Sequence, residues 1–365
     1  MTLGDNLKVT LFGESHGACV GALLEGIPAG TPIDEDELNR AIASRRPGRK
    51  GMSTRSELDQ CELLSGVYEG KATGWPILML TRNLDTKPSD YSFLPDQPRP
   101  GHADMVESIR SNGSNDPRGG GSHSARLTYG LVTAGSQVKS MLDEAGWSCH
   151  AHLHSVGEIV ARPLFELNRD FEPNSSSDMA RLNCKDPEAA GEMSEMIESV
   201  RKDADSIGSC VEILITGLPI GLGEPWFDGI EPALARGLMA IPGARAVEFS
   251  HGAKASRMRG SEHNDNWIPG SNGPTLEGSD SASSDGAIGG IATGAPISVI
   301  VHFKPPSSIS REQMTLHLPS NEVLPLKVRG RHDPVIGPRA APVAEAVAML
   351  VLADLGITAE LLSPP

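Results

Sequence analysis

Two histidines in this chain sit where the backbone would let an imidazole reach a ligand. His16 lies in Gly13-Glu14-Ser15-His16-Gly17, directly after an alternating apolar run, and its flanking glycines allow close backbone approach. His102 lies in Arg99-Pro100-Gly101-His102-Ala103-Asp104, where a Pro-Gly turn aims the ring at the start of an expected helix and the helix N-terminus lowers imidazole basicity. Both positions suit general acid–base work. Gly119-Gly120-Gly121 would open a long helix, and successive glycine amides at such a terminus cradle phosphate or carboxylate. The alternative is a flexible helix entry. No Gly-Lys-Ser/Thr follows, and no GxGxxG follows a strand, so neither a Walker loop nor a dinucleotide fingerprint is present.

Cations gather around these segments, among them Arg45, Arg46, Arg49, Arg118, Arg126, Arg331 and Arg339. In a chain of formal net charge −15, a guanidinium fork that grips carboxylate and phosphate at two points fits a substrate with several anionic groups. For any one of them the plain alternative is a surface ion pair. Lys304-Pro305-Pro306-Ser307-Ser308 ends an expected strand with a cation and two hydroxyls, a phosphate grip if it faces Gly289-Gly290. Arg331-His332-Asp333-Pro334 sets a carboxylate beside two cationic or titratable groups, an arrangement for a relay, with capping of the next turn as the alternative. His150, His152 and His154 alternate along one strand face nearly ~7 Å apart, too far to ligate one ion, so a solvated face without metal is expected.

The elements that must carry these groups follow from periodicity. Alternation predicts strands at Leu7 to Phe12, Val20 to Leu24, Val211 to Ile215 and Ile297 to Phe303. Asp34 with Glu37 predicts a capped helix through Leu38, Ala41 and Ile42, ending near Pro47-Gly48. A core helix is predicted from Ser122 to Ala145, capped by Gly146, and an interior helix, apolar almost all round, from Arg339 to Leu355. Residues 165–206 read as a polar peripheral excursion. Leu23-Leu24-Glu25-Gly26-Ile27-Pro28-Ala29-Gly30 is echoed by Leu214-Ile215-Thr216-Gly217-Leu218-Pro219-Ile220-Gly221, which predicts one unit used twice, in a single fused α/β domain with halves at about 7–150 and 207–355.

Composition narrows the partners. The acidic balance argues against nucleic acid, no apolar run is read as membrane-spanning, and the N-terminus lacks a signal-peptide layout, so the expectation is a cytoplasmic protein. The five cysteines are widely spaced without a CxxC pair, which fits reduced thiols.

Taken in order, Gly13-Glu14-Ser15-His16-Gly17, Gly119-Gly120-Gly121-Ser122-His123-Ser124-Ala125-Arg126 and Arg331-His332-Asp333-Pro334 resemble the signature segments of the chorismate synthase family, and the similarity runs from Leu11 to Leu355. The resemblance implies a β-α-β sandwich of α/β (α+β) class, with helices packed between the sheets of two related halves, assembled as a homotetramer. It implies a lyase at the last common step of the shikimate pathway to aromatic amino acids. That reaction is the 1,4-anti elimination of phosphate from 5-enolpyruvylshikimate 3-phosphate to give chorismate, dependent on reduced FMN, with NADPH as the reductant to consider.

Carried onto this chain, His16 would protonate the departing phosphate and His102 would meet the reduced flavin near N1. Ser15, Ser124 and Asp333 would form a relay toward flavin N5. Arg45, Arg46, Arg126 and Arg331, with Arg49 as the second arginine of its loop, would surround substrate and flavin phosphates. Further flavin contacts would come from Ser122, His123, Pro242, Gly243, Gly289, Lys304, Pro305, Pro306, Ser307 and Ser308. The chain departs from the family where Ser122 and His123 replace an Arg-Ser pair; a protonated His123 would restore the cation. The rival readings are a flavin reductase using the same cradle and a non-enzymatic flavin- or phosphate-binding assembly protein.

Overall fold

The alternating runs do become strands, and they assemble into two five-stranded sheets. The computed structural model describes residues 1–46, 59–84, 87–169, 173–174, 176–271, 273–278, 285–330 and 332–362. In the first sheet β1 (Thr2–Leu3), β2 (Lys8–Gly13), β3 (Cys19–Glu25), β4 (Glu62–Ser65) and β5 (Ile77–Arg82) lie in the order β1-β2-β3-β5-β4. In the second, β6 (Ser148–Val156), β7 (Ile159–Val160), β8 (Ser209–Thr216), β9 (Ala244–Phe249) and β10 (Ile297–Phe303) lie in the order β9-β10-β8-β6-β7. Read from the β7 edge, the second sheet repeats the first strand for strand. The turns repeat too. Gly30 N–H donates to Ala72 O at 2.8 Å and Thr73 N–H to Gly66 O at 2.9 Å, while Gly221 N–H donates to Ala292 O and Thr293 N–H to Gly286 O, both at 3.0 Å.

Helices fill the space between the sheets. α1 (Glu35–Arg45) starts where the Asp34 carboxylate accepts from the amides of Asp36 and Glu37. It stops at Arg45, with Arg46 as its C-cap; Pro47-Gly48, where an end was expected, lies outside the described residues. α2 (Asp104–Arg110) is short, and α3 (Thr128–Glu144) is a core helix. α3 begins later than the apolar pattern indicates. Ser124 has φ −73° and ψ 139°, an extended backbone inside the expected first turn, so two 3₁₀ turns, one on each side of it, intervene before Thr128.

The polar segment is not simply exposed. It folds as α4 (Asp178–Leu182) and α5 (Pro187–Lys202), the latter started by an Asp186 cap and a first-turn proline. Leu182, Ala190, Met193 and Ile197 are buried with Leu153, Val156 and Val335 in a second apolar cluster.

α6 (Ile230–Met239) and α7 (Gly337–Thr358) complete the interior. α7 corrects the reading that no apolar run could span a bilayer: it is long and apolar enough by length and composition. It is buried against other helices and the second sheet, with Ala344, Ala348, Leu352 and Ala353 wholly inaccessible. Near its C-terminal end the Asp354 carboxylate accepts from the amides of Asp5, Asn6 and Leu7 at 2.7–2.9 Å, tying the first strand turn to the helix.

Candidate active site

The end of β2 and the loops facing it bring the first histidine into place. Asn83, just after β5, donates from Nδ2 to Glu14 O and Gly17 O at 2.9 Å each, clamping the tight turn that holds His16. Ser15 N–H donates to Gly121 O at 3.2 Å, and Ser15 Oγ lies 3.1 Å from His16 Nδ1. The glycine loop thus seats the histidine turn. A Cβ on Gly119 would lie 2.4 Å from His16 Nδ1, so this loop works by close approach as well as by any exposed amides. It does not stand at the N-terminus of α3, which corrects the helix-end cradle. Ser124 instead caps the second 3₁₀ turn, its Oγ accepting from Arg126 N–H at 3.2 Å.

Tyr91 joins the two histidines. Its ring meets His16 edge-on at 5.1 Å between centroids, and the Arg99 guanidinium lies 5.4 Å over it. Arg99 donates to both oxygens of Asp104, at 2.7 and 2.8 Å, and to Ser308 Oγ at 2.9 Å. Asp104 Oδ1 is 2.6 Å from His102 Nδ1. Lys304 Nζ donates to Gly101 O at 2.5 Å and to Ser307 Oγ at 3.1 Å, and Ser307 Oγ donates to the same carbonyl at 2.7 Å. Lys304 N–H is held by Gly243 O at 3.0 Å, and Ser206 Oγ donates to Pro306 O at 2.7 Å. The structure therefore assembles His102 with Gly243 and the whole run from Lys304 to Ser308.

Burial sets the electrostatics. It would raise the Asp104 carboxyl, but hydrogen bonds from Arg99 and His102 outweigh it and hold the group well below the usual carboxylate range. Burial likewise lowers His102; Asp104 works against the shift, while Arg99 and Lys304 add to it. Burial, rather than the helix end foreseen, is the leading cause.

The arginines divide. Arg45 was expected at the substrate, yet it is 1% exposed and donates to Thr128 Oγ1 at 2.9 Å, Asp59 Oδ2 at 3.5 Å and Ala125 O at 3.0 Å. It is a buried anchor between α1 and the entry to α3. Arg126 is also buried, meeting Asp59 at 2.5 Å and Asn83 Oδ1 at 3.1 Å. Through Asn83 it supports the His16 turn from beneath. Asp333 pairs with Arg339 at 2.8 Å, and Arg339 reaches Arg45 O at 3.2 Å. Arg46 is partly exposed at the end of α1. Arg49 and Arg331 lie outside the described residues.

Other expectations need correction. Gly289 turns the hairpin that precedes β10, whereas Lys304 follows it, so the two stand at opposite ends of a seven-residue strand, roughly 20 Å apart. They cannot grip one phosphate within a chain. Pro242, by contrast, adjoins Gly243 at the Lys304 end. His123, in the 3₁₀ turn with Ser122, contacts Glu107 at 2.8 Å, and hydrogen bonds from Arg110 and His123 bring that carboxyl down to about 2.

The strand histidines are not a solvated face. His152 stands opposite Glu212 in the ladder and a bulge at His154 leaves that ring beside the same carboxylate, the two lying 3.1 and 3.5 Å from its Oε2, and His152 is fully buried. The ligand-type atoms of the three lie within 4.8 Å of one another. Lys185 N–H donates to His152 Nδ1 at 3.3 Å, which leaves the Nε2 proton to point at Glu212. A metal on Nε2 would need that proton on Nδ1, facing another N–H. Leu164 N–H also donates to Glu212 Oε2 at 2.8 Å, so the trio reads as a hydrogen-bonded buried carboxylate.

Sequence reasoning missed Tyr91, Asn83, Arg99, Asp59 and Asp104. Asp104 stood two residues from His102, at hydrogen-bonding reach for a loop–helix junction, and that spacing was the available signal.

The profile described as chorismate synthase matches residues 7–357. A chorismate synthase of Aeropyrum pernix is 44% identical, covering 100% of this chain and 94% of its own length. One of Methanosarcina mazei is 41% identical, covering 99% of this chain and 97% of its own. Among solved structures, one titled as a crystal structure of chorismate synthase superposes with TM-score 0.73 at 27% identity, over 98% of this chain and 93% of that chain.

Proposed function

Because the chain belongs to the chorismate synthase family, whose members are carbon–oxygen lyases, we propose that it eliminates phosphate from 5-enolpyruvylshikimate 3-phosphate to give chorismate. The observation that carries this reading is the joining of His16 and His102 through Tyr91 and Arg99, beside the Lys304 to Ser308 loop. His16 holds the proton for the departing phosphate, with Ser15 Oγ fixing its ring. Asp333, which pairs with Arg339, and Ser124 would serve with Ser15 as the relay groups.

The donor set at Lys304 suits an anionic cofactor. Its ammonium donates to Ser307 Oγ and Gly101 O and has no carboxylate partner among the described residues, while Ser308 Oγ beside it accepts from Arg99, a set that fits the phosphate of FMN. Ser122, His123, Pro242 and Gly243 would line the same cofactor. Reduced FMN supplies the electron density that the elimination draws on, with no net redox change. His102 approaches the cofactor with a neutral imidazole. We take the chain as one domain, with 165–206 as a packed helical cap, that works in the cytoplasm as a homotetramer; light scattering of the purified protein checks the assembly.

Anaerobic incubation of the protein with 5-enolpyruvylshikimate 3-phosphate and dithionite-reduced FMN tests the reading. Chorismate and phosphate should appear in equal amounts, only with reduced flavin. NADPH oxidation without chorismate would replace it with a flavin reductase.

A further inference from the structure

We propose that Asp104 is a positioning residue that fixes His102 as the tautomer protonated on Nδ1, so that Nε2 faces the site as the proton-accepting atom, and that Arg99 fixes Asp104. Only the catalytic consequence rests on the function proposed above; the tautomer itself does not.

The contacts decide the proton's position. Two groups compete for His102 Nδ1: the Asp104 carboxylate at 2.6 Å and the Arg99 guanidinium at 3.1 Å. An unprotonated Nδ1 would accept from Arg99, but it would also press its lone pair against a carboxylate oxygen within hydrogen-bonding distance. A protonated Nδ1 donates to that oxygen in a short charge-assisted bond. The carboxylate is ionised to receive it, since Arg99 donates to Asp104 Oδ1 from Nη2 and to Oδ2 from Nε and from its backbone amide at 3.0 Å. Arg99 and Asp104 are nearly inaccessible, with side chains 3% and 6% exposed, whereas His102 is 20% exposed. Two buried groups therefore aim a third that opens outward.

Nothing competes for the other nitrogen: among the described residues no hydrogen-bond partner of His102 Nε2 is present. The charged groups acting on the ring are Arg99, Asp104 and Lys304, and the two cations together with burial keep it neutral. A neutral ring with Nδ1–H has one lone pair left, on Nε2. Arg99 extends the chain of contacts to Ser308 Oγ at 2.9 Å, so the same guanidinium that fixes the carboxylate also fixes the loop read here as the cofactor grip.

Histidine-selective ¹⁵N labelling of the full-length protein, with the His102 signals assigned by their loss in His102→Gln, reads the tautomer directly. The expected result is a protonated Nδ1 and an unprotonated Nε2 near neutral pH, with a shift toward Nε2–H in Asp104→Asn, whose amide can donate to Nδ1. An Nε2–H ring in the wild type, or an unchanged ring in Asp104→Asn, overturns the proposal. In turnover, Asp104→Asn should lower kcat by on the order of 10²-fold with little change in KM, and Asp104→Glu should restore part of it. Because Asp104 favours the imidazolium, its removal should also move the His102 limb of the pH profile to lower pH, which a loss of packing alone would not do. Should Asp104→Asn fail to fold, the wild-type spectrum still decides. Chorismate absent from the wild-type assay would refute the proposed reaction while the tautomer result stood.

Discussion

Two histidine–carboxylate pairs in this molecule have similar geometry and different fates. His102 meets Asp104 at 2.6 Å, and His152 meets Glu212 at 3.1 Å. In each, burial works against the carboxylate and hydrogen bonds overcome it, bringing Glu212 to about 2 and Asp104 lower still. The difference lies in the second nitrogen. His152 spends it on Lys185 N–H and is sealed beneath the segment carrying Leu164 and Lys185, whereas His102 leaves it without a hydrogen-bond partner among the described residues, next to the Lys304 to Ser308 loop. A short His–carboxylate contact marks a site only when one ring atom remains for a ligand.

The largest separation between the pairs should come from deleting each imidazole in turn. His102→Ala, like His16→Ala, should lower kcat by about 10²–10⁴-fold, while the urea midpoint moves little. His152→Ala should do the reverse, because it strips a buried carboxylate of a donor. Glu212→Ala removes the acceptor of two histidines and the Leu164 amide at once, and should cost about 3–5 kcal/mol of stability in urea unfolding. Activity per folded molecule should survive it. Equal losses of kcat in all four variants would erase the distinction.

A smaller effect tests the glycine loop. In Gly119→Ala the new methyl would meet His16 Nδ1 at 2.4 Å and Ser15 Oγ at 3.2 Å, on a backbone with φ +138° that L residues rarely adopt. The turn must shift, and kcat should fall at least about tenfold, since a misplacement near 1 Å is costly. Gly289→Ala at the far end of β10 meets open space at its Cβ and has φ +62°, so it should leave kcat within about twofold while costing about 1 kcal/mol in stability. Steady-state assays with reduced FMN and urea melts read both.

Acid should separate the pairs again. Glu212 has a folded pKa below its unfolded value, so its stabilisation is complete above about 4.5 and fades as the pH falls toward 2. His152, lowered mainly by burial, must be neutral when folded, so its contribution fades below about 6.5. Both losses run in the same direction. The urea midpoint should fall from pH 7 to pH 4, and Glu212→Gln should flatten the lower part of that fall.

Much of the fold was legible because a half-buried strand writes its face into alternate residues and a capped helix announces its start. The echo between Leu23 to Gly30 and Leu214 to Gly221 pointed to two related halves, and Thr73-Gly74 and Thr293-Gly294, each followed by Pro-Ile after one residue, extend it to the hairpins. What periodicity could not carry was a local capping choice: the extended Ser124, whose hydroxyl accepts from Arg126 N–H, delays α3 from Ser122 to Thr128. At the site, residue types singled out His16, His102 and Lys304, which the structure links through Tyr91, Arg99 and Gly101. They could not tell a ligand-facing arginine from Arg45, because a buried guanidinium and a substrate-binding one have the same sequence signature. A bulge at His154 likewise cancels the spacing argument for the strand histidines, since it leaves His154 beside the Glu212 that His152 already opposes in the ladder.

The finest test concerns His123, where the chain departs from its family. Its side chain is 42% exposed and contacts Glu107, which Arg110 also holds, and all three stand beside the glycine loop. A solvated ion pair contributes little to stability and is screened by salt, so His123→Ala should leave the urea midpoint unchanged. Its effect should appear instead in catalysis. If the ring helps to hold an anionic cofactor, the alanine variant should raise the KM for reduced FMN by up to about fivefold, and added salt should narrow that difference. Equal KM values for the two proteins would assign His123 to the surface and leave Lys304 as the cation proposed to meet the cofactor.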